Sequence, residues 1–213
     1  MIGRLTLLVL LVTSLAWTPT AAHAEDYSAR LRTAISDLPV KVEVRRGYAR
    51  EKFPHWTDAD NDGCSTRDEV LKRESERPVT VSGTCTITSG RWYSYYDRET
   101  WSDPSDVDID HLVPLAEAWD SGARKWSRPV RERFANDLRD RRSLVGVTDN
   151  VNQSKGDQDP DEWLPEYRHC RYLREWVAVK HRWRLRVDSA EKSALRSLGE
   201  DCDNRRIMVT LAR

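Results

Sequence analysis

Asp108-Ile109-Asp110-His111-Leu112-Val113-Pro114, answered further along by Asn152-Gln153-Ser154-Lys155-Gly156-Asp157, decides how this chain is read. Val107 and Ile109 alternate with Asp108 and Asp110, the period of a short half-buried strand. Ser143-Leu144-Val145-Gly146-Val147-Thr148 reads as a second strand. Asp149-Asn150 breaks it, and the chain turns helical from Val151. Strand, strand and helix in that order bring an acid and an imidazole at one strand's end beside an amide and a lysine at a helix's start. Asp110 and Asn152 offer the oxygen donors that a hard divalent cation takes. His111 can deprotonate a water beside such a cation. The first N–H groups of the helix favour a phosphate, and Lys155 lies one turn on to contact it. Metal, base and phosphate grip together are what phosphodiester hydrolysis requires.

Each piece alone has a plainer reading. An isolated Asp-His is a polar strand end, an Asn near a helix start is a cap, and a Lys one turn later is a solvated charge. Their joint order, with two strands and a helix between them, favours chemistry.

Working outward, Pro114 suits the first turn of a helix through Leu115 to Trp119 that ends near Gly122. Pro129 opens another through Arg133-Phe134-Ala135-Asn136. Cys170, Leu173, Trp176-Val177 and Lys180 recur at helical spacing, and Asp188 with Glu191 makes a capping-box pattern for a last helix. Upstream, Leu31, Ile35 and Leu38 predict an amphipathic helix stopped by Pro39, and Arg67 to Arg77 a second. Val79 to Val81, Thr84 to Thr88 and Arg91 to Tyr96 alternate like strands around Ser82-Gly83 and Ser89-Gly90.

Residues 1–24 read as a cleaved leader: Arg4, an apolar run from Leu5 to Ala16, and the small-x-small site Ala22-His23-Ala24. The run is too short to span a membrane, and with no cysteine near the cleavage site a lipid anchor is not expected. The mature chain is expected outside the cell. The 35 basic and 35 acidic residues balance, and the leader holds only one of them. That balance excludes a general attraction to polyanions and argues against a tight sequence reader, though a nuclease needs only a local basic groove.

Cys64, Cys85, Cys170 and Cys202 are an even set in an exported chain, for which three pairings exist. Proximity favours Cys64–Cys85 and Cys170–Cys202, each stabilising by about 3 kcal/mol. The absence of any C-x-x-C pair argues against zinc. Asp58, Asp60, Asp62 and Gly63, with Glu69 at the twelfth position, match the spacing of a calcium loop. The plainer reading is an acidic turn pinned by a disulfide, with Cys64 inside the loop. Arg139 to Arg142 and Arg182 to Arg186 are basic runs in a chain rich in Trp, which together could grip phosphates and stack bases. Trp119, Trp163 and Trp176 fall at apolar helical positions and are expected in the core. Arg139 to Arg142 is the run assigned to DNA. His55, His169 and His181 lack a partner motif and are expected to pack or face solvent.

The run from Trp101 to Pro165 resembles the secreted bacterial HNH endonuclease family, related to the C-terminal nuclease domain of GmrSD-type restriction enzymes. The resemblance is carried by Asp108 through Trp119, Ser121-Gly122-Ala123, Arg133-Phe134-Ala135-Asn136-Asp137, Asn152 through Pro160, and Trp163-Leu164-Pro165. Gly63-Cys64 and Thr66-Arg67 extend it. It implies His111 as general base, with Asp110 and Asn152 as ligands of one Mg²⁺ or Mn²⁺. Ser143 stands where many HNH proteins carry the base-orienting Asn, so Asn136, with Asp137, is assigned that part. Lys155 is assigned to the phosphate.

The expected fold is thus α+β, a single domain with a ββα-metal (HNH/His-Me finger) core, extra helices and two disulfides. Residues 25–100 would form its N-terminal α+β part and 101–213 the nuclease core and C-terminal helices. The expected activity is metal-dependent cutting of DNA, or of RNA, with little sequence preference. The alternative is a non-catalytic, calcium-binding module of the cell surface.

Overall fold

A computed structural model of the chain describes residues 26–212; the leader expected over residues 1–24 lies outside them. The elements, in order, are β1 (Asp26–Arg30), α1 (Leu31–Asp37), α2 (Thr66–Glu74), β2 (Thr80–Ser82), β3 (Thr86–Ser89), β4 (Trp92–Tyr93), β5 (Thr100–Trp101) and β6 (Val107–His111). Then come α3 (Leu115–Asp120), α4 (Arg128–Ala135), β7 (Leu144–Thr148), α5 (Asp149–Lys155), α6 (His169–Arg182), α7 (Ser189–Glu200) and β8 (Arg206–Thr210). The strands form four antiparallel pairs: β1–β8, β2–β3, β4–β5 and β6–β7.

The β6–β7 pair is the centre. Its register sets Asp108 opposite Val147, Asp110 opposite Val145 and His111 opposite Leu144. The main core, built on Leu31, Ile35, Tyr172, Trp176 and Trp183, takes in Val145 and Val147. A smaller core of Val70, Leu71, Ile87 and Trp92 takes in Val107, Ile109 and Leu144. Both faces of the pair are therefore covered, where alternation in β6 predicts one wet face. Asp110 is 5% exposed; what lets a carboxylate stay there is a buried partner, described below. Helix α5 begins at Asp149, directly off β7, two residues earlier than its apolar pattern predicts.

The antiparallel β1–β8 pairing joins the two ends of the described chain, Asp26 lying opposite Thr210. Neither strand is expected from the sequence. The first and second stretches also share the main core, which runs from Ala29 to Val209. In Arg91 to Tyr96 only Trp92 and Tyr93 are paired. A turn closed by the Arg98 N–H donating to the Ser94 carbonyl, with Arg98 at φ +68°, ends the strand early. The capping pair Asp188–Glu191 is half formed: the Asp188 carboxylate accepts from the Glu191 N–H (2.7 Å). The disulfides are Cys64–Cys85 and Cys170–Cys202, the second tying α6 to the end of α7. Trp119 and Trp176 are buried as expected and Trp163 packs at the core's edge. Arg182, placed in a basic run by sequence, is instead 4% exposed. No helix among the described residues is long and apolar enough to cross a membrane.

Candidate functional site

Asp110 and Lys155 meet first. Lys155 Nζ donates to both carboxylate oxygens of Asp110 (2.8 and 2.7 Å) and to the carbonyls of His111 (3.2 Å) and Leu112 (3.1 Å). Its side chain is 0% exposed. The Tyr96 hydroxyl donates to Asp110 Oδ2 at 2.6 Å. Burial raises the Asp110 carboxyl above the usual range, against the pull of Lys155 and Tyr96, and lowers the Lys155 ammonium against the pull of Asp110. Lys155, expected to face a phosphate, thus stitches α5 to the end of β6 from inside. Sequence shows a lone charge; its partner sits far back in the chain.

His111 leaves β6 on the opposite face from Asp110. Its Nε2 lies 2.9 Å from the carbonyl of Ala135, so Nε2 carries the proton and Nδ1 is the lone-pair nitrogen. Burial lowers its pKa to about 3, helped by Arg50, His55 and Lys155. The ring is therefore neutral at ordinary pH. Trp56 stacks on it at 5.1 Å between centroids, and His55 meets it edge-on at 6.3 Å. Trp56 has φ +59°, an outlying conformation for a bulky residue.

Asn136 does not touch His111. Its Oδ1 accepts from the Thr57 N–H (3.1 Å) and its Nδ2 donates to the carbonyls of Pro54 and Glu132 (2.8 Å each). It fastens the segment carrying His55 and Trp56 to the residue next to Ala135, and so holds both groups that orient the imidazole. Asp137 anchors the other side. Its carboxylate accepts from Arg182, the Trp183 indole and the Ser143 hydroxyl (2.9 Å from Oδ2). Ser143, standing where an Asn was expected, holds this loop through Asp137.

Asn152 Nδ2 donates to Asp108 Oδ2 at 3.1 Å. The structure therefore joins Asn152 to Asp108 and Asp110 to Lys155. A carboxylate has about four acceptor positions. Lys155 takes one on each Asp110 oxygen and Tyr96 another on Oδ2, which leaves one on Oδ1. Asn152 Oδ1 and the remaining lone pairs of Asp108 are further oxygens of the kind that a hard divalent cation takes. At the start of α5, the Asp149 carboxylate accepts from the Asn150 N–H, the position where a phosphate was expected.

Asp58, Asp60 and Asp62 each offer an oxygen within 4.8 Å of the others and all three are exposed. Glu69 sits apart from that trio, grouped with Asp62 and Cys64, and its Oε1 lies 3.4 Å from Lys72 Nζ. Cys64 is bound in its disulfide. Of the basic run given to DNA, Arg139 and Arg141 are exposed and Arg142 pairs with Asp140 at 2.5 Å. Tyr96, Trp56, His55 and Arg50 are site residues that sequence reasoning missed. Phe53-Pro54-His55-Trp56, with its paired aromatic and imidazole, was the one signal available.

The family model described as GmrSD restriction endonucleases, C-terminal domain, matches residues 65–198, which span Tyr96, Asp108 to His111, Asn136 and Asn152 to Lys155. A protein of the fungus Arthroderma benhamiae, described as an uncharacterized secreted protein, is 48% identical over 174 residues, covering 80% of this chain and 84% of the relative. The similarity thus extends beyond the bacterial group whose motifs the sequence resembles. No solved structure matches.

Proposed function

Because the chain belongs to the family of GmrSD restriction endonuclease C-terminal domains, we propose that it is an HNH-type, metal-dependent endonuclease. Its substrate would be DNA, with RNA the second candidate, cut with little sequence preference. The observation that carries this reading is His111: neutral, held at Nε2 by Ala135, and presenting Nδ1 at the end of the β6–β7 pair where α5 begins.

Water attacks phosphorus as His111 Nδ1 takes its proton. The bond to the 3′-oxygen breaks, that oxygen takes a proton from solvent water, and a 5′-phosphate and a 3′-hydroxyl result. Mg²⁺ or Mn²⁺, held by Asp110 and Asn152 with Asp108 as a third oxygen donor, would supply charge neutralisation at the phosphate and the departing oxygen. Asn136 positions the base through the Ala135 loop. Lys155 keeps Asp110 ionised in a dry setting. Arg50, near enough to depress the His111 pKa, is the exposed cation best placed to meet a phosphate there. Export is supported by the relative's description as secreted and by two disulfides.

The test is nicking of supercoiled plasmid by oxidised protein with Mg²⁺, Mn²⁺ or EDTA. His111→Ala is expected to lose about 10²–10⁴-fold, the usual worth of a general base. Undiminished cutting by that variant removes the assignment. The clustering of Asp58, Asp60 and Asp62 supports the second reading, a calcium-binding module. Calcium-dependent stability lost in Asp60→Asn, with no cleavage under any metal, would favour it.

A further inference from the structure

Tyr96 holds Asp110 through its hydroxyl, and its neighbour Tyr95 faces a different space. Tyr93, Tyr95, Arg168, Cys170, Arg171 and Arg174 line a cavity of about 380 Å³. It opens between the β4 segment and the start of α6, which the Tyr167 N–H fastens together by donating to the Tyr96 carbonyl (3.0 Å). None of Asp110, His111, Asn152 and Lys155 lies in its wall. Its volume falls in the range of about 300–1,000 Å³ that takes a small ligand, room for one nucleotide.

The charge in this cavity is positive and largely uncompensated. Glu175 is bonded there, and both of its oxygens are taken: Oε1 accepts from Arg171 Nε and Oε2 from the Tyr95 hydroxyl, each at 2.8 Å. Glu74 lies near enough to Arg171 to favour its charge, but it is held by the Gly146 N–H (2.7 Å) and Arg73 (3.2 Å). Among the described residues, Arg168 and Arg174 have no ion-pair partner. Helix α6 adds to the same sign, since no side chain caps its start and no acid lies in its first turn. A concave wall concentrates such a field and draws an anion in.

Two observations set the cavity apart from an ordinary basic surface. Arg168 sits at φ +59°, where the backbone favours glycine, so a long cationic side chain is kept against that preference. Arg171 lies over the Tyr95 ring at 3.9 Å while its Nε holds Glu175. Its guanidinium is thus fixed before any ligand arrives, with the terminal nitrogens left to meet one. At the rim Tyr93 is 36% exposed, and its partner across the β4–β5 pair is the small Thr100. Guanidiniums beside an open ring suit a phosphate and its base. The cavity lined by Arg139, Arg141 and Arg142 lacks that pairing: Asp26 and Asp140 share its wall, and its Tyr27 ring is stacked on His181.

We infer that the Tyr93–Arg174 cavity binds one nucleotide of a single strand, with its phosphate on Arg168, Arg171 and Arg174 and its base on Tyr93. A base enters such a recess only when it is unstacked, which selects a strand over a duplex. The inference rests on the nuclease reading for the identity of the ligand, and it adds a holding point outside the catalytic centre. Tyr95 and Tyr96 join the two, one in the wall of the cavity and the other bonded to Asp110.

The test is fluorescence polarisation of a short labelled deoxyoligonucleotide with the oxidised protein in EDTA, so that nothing depends on cleavage. Arg168→Ala with Arg174→Ala should weaken binding at least tenfold. It should also lower the slope of log affinity against log salt by about 0.7, the share of one single-strand phosphate. Tyr93→Ser should cost about tenfold on this strand and nothing on an abasic strand of equal charge. Lys41→Ala with Lys125→Ala removes two exposed cations beyond the far end of α6 and should have little effect. Full affinity in the double arginine variant, or an equal loss in the lysine control, overturns the proposal. So does a Tyr93→Ser loss that the abasic strand shares, or heparin bound as tightly with the same losses, since either leaves only a general anion patch. If the double arginine variant fails to fold, Arg174→Gln and Tyr93→Ser decide. Plasmid left intact under every metal while these losses hold would refute the nuclease centre and leave this site standing; plasmid cut by a parent whose cavity variants bind at full affinity would do the reverse.

Discussion

Replacing Lys155 with Met separates the two roles open to this lysine. The substitution keeps the length of the side chain but removes the ammonium, with its bonds to both Asp110 oxygens and to the His111 and Leu112 carbonyls. Asp110 would then be a buried carboxylate held by Tyr96 alone. Breaking a buried pair from one side costs about 3–5 kcal/mol, and in a domain of this size each kcal/mol lowers the melting temperature by about 2–4 °C. The expected loss is therefore roughly 6–20 °C by calorimetry. A double-mutant cycle sharpens the result. Asp110→Asn alone should also be costly, but Lys155→Met with Asp110→Asn should cost well under the sum, because neither charge is left bare. A solvated phosphate contact would behave otherwise: KM for plasmid would rise while the melting temperature held. A drop below about 2 °C, too small for any buried pair, would refute the structural reading. Additive single effects would refute the pairing.

Asn136→Ala should lower stability by about 2 kcal/mol, since the Thr57 N–H and the Pro54 carbonyl lose their partner. It should reduce kcat tenfold or more with little change in KM; full kcat at a lowered melting temperature would show that the clamp does not orient His111. His181, whose Nε2 lies 2.8 Å from the Ala34 carbonyl and whose ring stacks on Tyr27 at 3.9 Å, has its pKa lowered chiefly by burial. The unfolded chain thus takes the proton first, so this stabilising contribution is present above about pH 6.5 and fades as pH falls below it. Melting temperatures between pH 7 and 5 should fall less in His181→Gln than in the parent; equal slopes would refute the shift.

The β6–β7–α5 unit was legible because its apolar residues recur at strand spacing and its polar ones interrupt at the turns. Its interior was not. A lysine in a Ser-Lys-Gly-Asp run looks solvated, and only the position of Asp110 across the pair draws it inside. Asn136 was nominated from a resemblance, yet its three bonds run to the loop at Pro54 to Thr57 and to Glu132, which no local pattern announces. The β1–β8 pairing stayed hidden for a different reason. In Asp26–Arg30 Tyr27 and Ala29 do turn inward, but two inward residues in a polar stretch are too few for periodicity to detect. In β8, Ile207 and Val209 do alternate inward, but a single strand near the end of a chain names no partner. Arg182 misled because a run of basic residues around a Trp reads as surface. Asp137, buried between α4 and β7, claims its guanidinium.

The even charge balance, which argued against attraction to a polyanion, is redistributed by folding. Asp110, Glu117, Asp120, Asp137, Asp159 and Glu191 are buried, against Lys155, Lys180, Arg182 and Lys192. Six acids and four bases thus leave the surface of the described residues, and the exposed remainder shifts toward the basic side. What is left is gathered locally. Arg168, Arg171 and Arg174 line one cavity of about 380 Å³ with Tyr93 and Tyr95, and Arg139, Arg141 and Arg142 line another of about 490 Å³ with Asp26 and Asp140. Arg171 is paired with Glu175 and Arg142 with Asp140, so Arg168, Arg174, Arg139 and Arg141 carry most of the patches. Patches of this kind act over roughly a Debye length, about 8 Å in physiological salt, so they can position a strand without holding the whole polymer. A uniformly basic surface would bind nicked and intact duplex alike and slow release. Internal pairing of the acids therefore holds the Asp110 and Asp137 segments from within, and it leaves local positive charge that the proposed nucleic-acid substrate would meet and that the net charge alone does not announce.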